Sequence, residues 1–144
     1  MKLIVAIEGE ESARAALDYI VKENYPSDTQ MHLVHVIVPG FADVSVAGIP
    51  DVAAEERKEE QTLLAEMART VKEKLGIEAS VDILSGETAA VIADACKKFD
   101  ADAVITPSHV RHGFSRIWFG SVADEIVDAA PCNVIVLKMD KHTV

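Results

Sequence analysis

The 144-residue chain is short of cations: 14 Lys and Arg stand against 24 Asp and Glu, a formal net charge of −10. A sequence-blind nucleic-acid binder needs surplus cations to displace phosphate counterions, so DNA and RNA are disfavoured as partners. An anionic membrane surface is disfavoured for the same reason. Cysteine is scarce as well. Cys96 and Cys132 are too few and too far apart along the chain for a secreted disulfide scaffold or a zinc knuckle. Long apolar runs are missing: Leu3 to Ile7 is all that precedes Glu8, too short for a signal-peptide core and far too short to span a bilayer. The chain also has no Gly-x-x-x-x-Gly-Lys phosphate loop, no Gly-x-Gly-x-x-Gly, no Cys-x-x-Cys and no Gly-x-Ser-x-Gly nucleophile elbow. These absences leave a soluble, acidic, cytoplasmic chain. Its hydrophobic content of 49% is ample for a core, and its length suits one domain spanning residues 1–144.

What is present alternates between two periods. Short runs rich in Val and Ile recur at Leu3–Ile7, Met31–Val38, Ile77–Leu84, Ala103–Thr106 and Cys132–Leu137. Near-continuous apolarity over so few residues suits strands covered on both faces, as in a parallel sheet. Between them lie helical stripes. Ala13, Ala16, Leu17, Ile20 and Val21 form the first; Leu64, Met67, Ala68, Val71 and Leu75 form the second, with Gly76 as its stop. Thr88, Ile92, Ala95 and Phe99 form the third, and Val122, Ala123, Ile126 and Ala130, closed by Pro131, form the fourth. The order βαβαβαβαβ predicts an α/β fold, an open, doubly wound sheet of five parallel strands with helices on both faces, and the strand order is expected to be 3-2-1-4-5.

One connection is long. Pro39 to Val52 carries Phe41, Val44, Val46, Ile49 and Pro50, and is expected to be either a flap folded back on the core or a lid or docking surface. The acidic run Glu55–Glu60 reads as the solvated start of the second helix.

In open parallel sheets, ligands bind beyond the carboxyl ends of the strands, where strand order reverses. Those ends are Glu8–Glu11, Val38–Gly40, Ser85–Glu87 and Pro107–Ser121. Between Ala103 and Ala123 there is no acidic residue, while His109, Arg111, His112 and Arg116 all fall inside. That makes an electropositive island beside a helix N-terminus, an arrangement that attracts anions. The plainer alternative is that the two arginines only balance acidic surroundings. His109 and His112 have a spacing compatible with a metal but no acidic or thiol partner nearby, so no metal site is expected. His32 and His35 on a buried strand read as hydrogen-bonded core residues, and both cysteines as structural.

Three features together carry a resemblance: acidic Glu8 after the first strand, Val34-His35-Val36 in the second, and the ending Ala130-Pro131-Cys132-Asn133-Val134-Ile135-Val136-Leu137. In these features, and essentially end to end, the chain resembles the universal stress protein family. Many members carry Gly-x-x-Gly, nine residues, then Gly-Ser after the fourth strand, a loop that holds the ribose and phosphates of ATP. Carried over, the two motif glycines fall on Pro107 and Val110, and only Gly120-Ser121 survives. Proline offers no N–H and fixes φ near −65°, while a β-branched residue resists positive φ. Ser121-Val122-Ala123-Asp124 is explained equally well as a helix N-cap.

The resemblance therefore implies a non-enzymatic stress-response protein with no cofactor, although slow ATP hydrolysis stays open. The alternative is an adenine-nucleotide sensor for ATP or AMP, lined by Glu8, Val36, Thr106, Ser108, Gly120 and Ser121. A third reading is a small-anion site centred on Arg111 and Arg116. The uncharged last strand suits a sheet edge that needs covering. By resemblance it is expected to pair with a second copy through Val134, Ile135 and Val136, giving a homodimer with an unknown protein partner.

Overall fold

The computed structural model describes residues 1–39, 52–108, 111–113, 116–118 and 121–139. Along the chain these form β1 (Lys2–Ala6), α1 (Glu10–Ile20), β2 (Gln30–Ile37), α2 (Val52–Leu75), β3 (Ala79–Ser85), α3 (Thr88–Phe99), β4 (Ala103–Ser108), β5 (Arg111–Gly113), β6 (Arg116–Trp118), α4 (Ser121–Ala129) and β7 (Asn133–Lys138). The five apolar runs become one sheet, all-parallel as the alternation of periods predicts, in the expected order β3-β2-β1-β4-β7. Its sequential winding reverses between β1 and β4.

A side-chain period of two divides the core between the two faces of the sheet. Leu3, Val5, Ile7, Met31 and Leu33 pack against Ala13, Ala16 and Ile20 of α1 and Leu64, Met67 and Val71 of α2. Ile4, Ala6, Val34 and Val104 pack against Ala89, Ile92 and Cys96 of α3 and Ile126 of α4. Central β1 and β4 are nearly sealed, whereas outer β3 and β7 are only partly buried. Among the described residues, no helix is long and apolar enough to cross a membrane.

The stops follow local chemistry. Gly76 takes φ +69°, and its N–H donates to the Lys72 carbonyl at 2.9 Å, ending α2 where the stripe predicts. The acidic run Glu55–Glu60 lies within the first turns of α2, which begins as early as Val52. Residues 40–51, most of the long connection, lie outside the described residues.

The stretch from Pro107 to Ser121 differs from the loop expected there. β4 continues through Pro107 and Ser108, which register with Leu137 and Lys138 of β7. β5 and β6 then form a small antiparallel hairpin, with Arg111 opposite Trp118 and Gly113 opposite Arg116. Proline is tolerated so late in β4 because β1 pairs with it only as far as Ile105. The fold also joins the two cysteines that sequence distance separates. Burial foremost pushes the Cys96 thiol up to about 12, and the neighbouring Cys132 adds to the shift.

Candidate functional site

A cavity of about 230 Å³ opens at the carboxyl ends of β1, β2 and β4, at the reversal of strand order. Glu8, Val36, Val38, Thr106 and Pro107 line it from the strand ends, and Thr88, Ile92, Val122 and Ile126 from α3 and α4. Its walls are mostly apolar; Thr88, Thr106, Glu8 and His35 are the polar residues among them.

Helix N-termini are the natural anion sites of such a fold, because their first amides lack intrahelical acceptors. Just before α1, two backbone amides are already engaged. Ser12 Oγ accepts from the Glu8 and Gly9 amides at 2.8 and 3.0 Å and donates to the Gly9 carbonyl at 2.9 Å. Glu10 and Glu11 add negative charge to the same turn. At α3, the Glu87 carboxylate accepts from the Ala90 amide at 2.9 Å and the Ala89 amide at 3.1 Å. Those two backbone bonds hold the Glu87 carboxyl below its ordinary value. Carboxylates therefore surround or occupy both N-termini. The remaining helix end near the cavity is that of α4, which opens at Ser121 rather than one residue after it.

Glu8, Val36 and Thr106 line one cavity. Glu8 is exposed, Val36 half-buried and Thr106 buried. Ser108 is buried too but does not line the cavity, and its carbonyl accepts from the Met139 amide at 3.0 Å. Arg111 and Arg116 lie on the two strands of the hairpin. Gly120, Val110 and His109 lie outside the described residues. Sequence reasoning placed Thr88, Ile92, Val122 and Ile126 in core stripes and missed that they face the cavity. The signal was their spacing: Thr88 with Ile92 and Val122 with Ile126 are each four apart, on one face near a helix start. Among the described residues, no group of three or more His, Cys, Asp or Glu is arranged to hold a metal.

β7 is the outermost strand, with Val134, Ile135 and Val136 half-buried. Beside it a cleft of about 650 Å³ runs along α1, lined by Arg14, Tyr19, Lys22, Val136, Leu137 and Met139 among others.

A five-stranded parallel sheet with a cavity at its switch point defines the nucleotide-binding-like class of α/β proteins. The model of the universal stress protein family matches residues 1–138, and the chain belongs to that family. It is 24% identical over 141 residues to universal stress protein MJ0531 of Methanocaldococcus jannaschii, covering 97% of this chain and 83% of that one. Its fold is similar to the universal stress protein of Archaeoglobus fulgidus, with TM-score 0.74, 22% identity and coverage of 96% and 98%. The Archaeoglobus protein is also solved in complex with dAMP. A family protein of Arabidopsis thaliana, solved with AMP bound, matches at TM-score 0.67 and 21% identity, covering 98% of this chain and 93% of that one.

Proposed function

We propose that the protein is a non-enzymatic, cytoplasmic stress-response regulator that acts as a homodimer through β7 and does not hold ATP in its strand-end cavity. The observation that carries this reading is the course of the chain after Ile105. Where ATP-binding relatives carry a glycine loop, Pro107 and Ser108 stay in register with β7 and the chain enters the β5–β6 hairpin. Pro107 has no N–H for a phosphate, and positive φ at β-branched Val110 costs about 1–3 kcal/mol. Two such losses, together about 3–4 kcal/mol, weaken binding more than a hundredfold at about 1.4 kcal/mol per decade. The carboxylates of Glu8, Glu10, Glu11 and Glu87 around the same end of the sheet disfavour a triphosphate further.

A second reading, favoured by the cavity itself, is a sensor for an adenine mononucleotide. About 230 Å³ falls below the roughly 300–1,000 Å³ of pockets that enclose drug-sized ligands, but it has room for a base. Glu8 at its mouth offers a carboxylate to a ribose hydroxyl. The AMP and dAMP complexes of relatives support this reading.

Isothermal titration of ATP and AMP, with and without Mg²⁺, on protein stripped of ligand and checked by mass spectrometry separates the two. Silence for both nucleotides up to millimolar concentration is the expected result. Micromolar ATP binding overturns the reading, and AMP binding alone moves the protein to the sensor class.

A further inference from the structure

A groove of about 520 Å³ lies between β3 and α3 and shares no lining residue with the strand-end cavity. Its volume falls within the roughly 300–1,000 Å³ of small-ligand pockets. The groove exists because β3 is outermost. Ala89, Ile92 and Cys96 of α3 pack on the central strands, which leaves Asp82 of β3 exposed and Leu84 half-buried. Leu84, Val91, Ala95 and Phe99 give the groove an apolar wall, and the Phe99 ring stacks on the His32 imidazole with centroids 5.4 Å apart.

The polar lining is unevenly matched. Lys98 Nζ lies 2.8 Å from Asp94 Oδ2, so those two charges answer each other. Lys2 Nζ lies 5.7 Å from the centre of the Phe99 ring, and Lys2 is not part of the lining. Burial foremost lowers the His32 imidazole from its ordinary 6.5, against the opposing charge of Asp82, so the ring is neutral at neutral pH. Ser80 Oγ donates to the Met31 carbonyl at 3.4 Å and lies 2.6 Å from His32 Nδ1. With its one hydrogen turned to Met31, the hydroxyl accepts from Nδ1, and Nε2 becomes a bare acceptor. Nε2 stands 4.0 Å from Asp82 Oδ2, which also only accepts. Two acceptors so placed attract a shared donor, not each other.

We propose that this groove binds a small organic cation, a primary ammonium bridging His32 Nε2 and Asp82 Oδ2 with its apolar body on Leu84, Val91 and Phe99. One nitrogen reaches both atoms at about 2.9 Å, because their separation is less than twice that length. An ammonium brings three donors and a positive charge for Asp82, whereas an anion would meet two acceptors and be repelled. A metal is a poorer occupant, since among the described residues no group of three or more His, Cys, Asp or Glu is arranged to hold one. The site does not depend on what the strand-end cavity holds.

The test titrates isotope-labelled, full-length protein at neutral pH with phenethylamine, an ammonium on an aromatic body, and follows backbone amides by NMR. Amides of residues 80–84 and 90–99 are expected to shift and saturate with a dissociation constant of about 1 mM, ordinary for so few atoms. Phenylacetate, similar in size and opposite in charge, is expected to bind at least about tenfold more weakly. Asp82→Asn, at an exposed position, is expected to weaken phenethylamine about tenfold through loss of a charge-assisted bond. No saturation up to about 20 mM, equal binding of phenylacetate, undiminished binding by Asp82→Asn, or shifts confined to the amides around Val36 and Thr106 would each overturn the proposal. If the variant fails to fold, the two probes on the wild type decide alone: preference for the cation at those amides supports the site, and its absence overturns it.

Discussion

Pro107 stands in register with Leu137, two steps beyond Ile105, the last residue that β4 pairs with β1. β4 therefore runs on as a strand through Pro107, the position onto which the first motif glycine falls. If this extension keeps triphosphate out, restoring the loop should let it in. The double variant Pro107→Gly, Val110→Gly is expected to gain at least about a hundredfold in ATP affinity over the wild type, read by titration calorimetry. No gain would assign the exclusion to the carboxylates around the site instead.

The half-buried apolar residues of β7 face two different cores, Ile135 and Leu137 on the side of α1 and α2 and Val134 on the side of α3 and α4. Its outer edge is where we propose a two-fold partner, because an apolar edge strand invites pairing. Val136→Asp puts a charge into that edge and is expected to convert dimers to monomers in sedimentation velocity, with the circular dichroism of the wild type retained. Unchanged dimers would move the interface away from β7.

The sheet was legible because its strands are covered by helices on both faces, which turns each into a short apolar run with boundaries displaced by about two residues. Leu3–Ile7 was expected and Lys2–Ala6 is observed; Ile77–Leu84 was expected and Ala79–Ser85 is observed. The β5–β6 hairpin was not legible, since its three-residue strands are too short to display a period of two. Pro107 likewise concealed the last two residues of β4, because proline argues against a strand until its neighbour is known. At the site, Glu8, Val36 and Thr106 were expected from the family resemblance, while the helix residues opposite them looked like ordinary core. Glu56 and Glu60 were hidden in an acidic run that reads as solvated. Only the docked α2 reveals that both carboxylates stand beside buried His35.

In the turn that leads from β3 into α3, a side chain at Gly86 would be crowded and strained. Gly86 has φ +144°, and a Cβ built there would meet Val91 Cγ2 at 2.6 Å. Gly76 has φ +69°, but a Cβ there would meet nothing within 4 Å. Gly76→Ala is therefore expected to lose only about 1 kcal/mol, the cost of the backbone conformation. Gly86→Ala adds a clash and is expected to lose about 2–3 kcal/mol. Urea denaturation of both variants checks the ranking, and equal losses would show that Val91 gives way freely.

Glu87, the next residue, caps α3 through two backbone amides, and this makes its contribution dependent on pH in a defined direction. The two bonds lower its carboxyl from the ordinary 4.5, so the folded state favours the carboxylate more than the unfolded state does. The stabilisation is fully present above the ordinary value and is lost as pH falls through the lowered one. Glu87→Ala removes the cap and is expected to lower Tm by about 3 °C at neutral pH. Thermal melts of wild type and variant should run parallel from about pH 6 to 8 and converge below the ordinary carboxylate range. A gap that persists undiminished into acid would mean that the side chain stabilises α3 by packing and not by its charge.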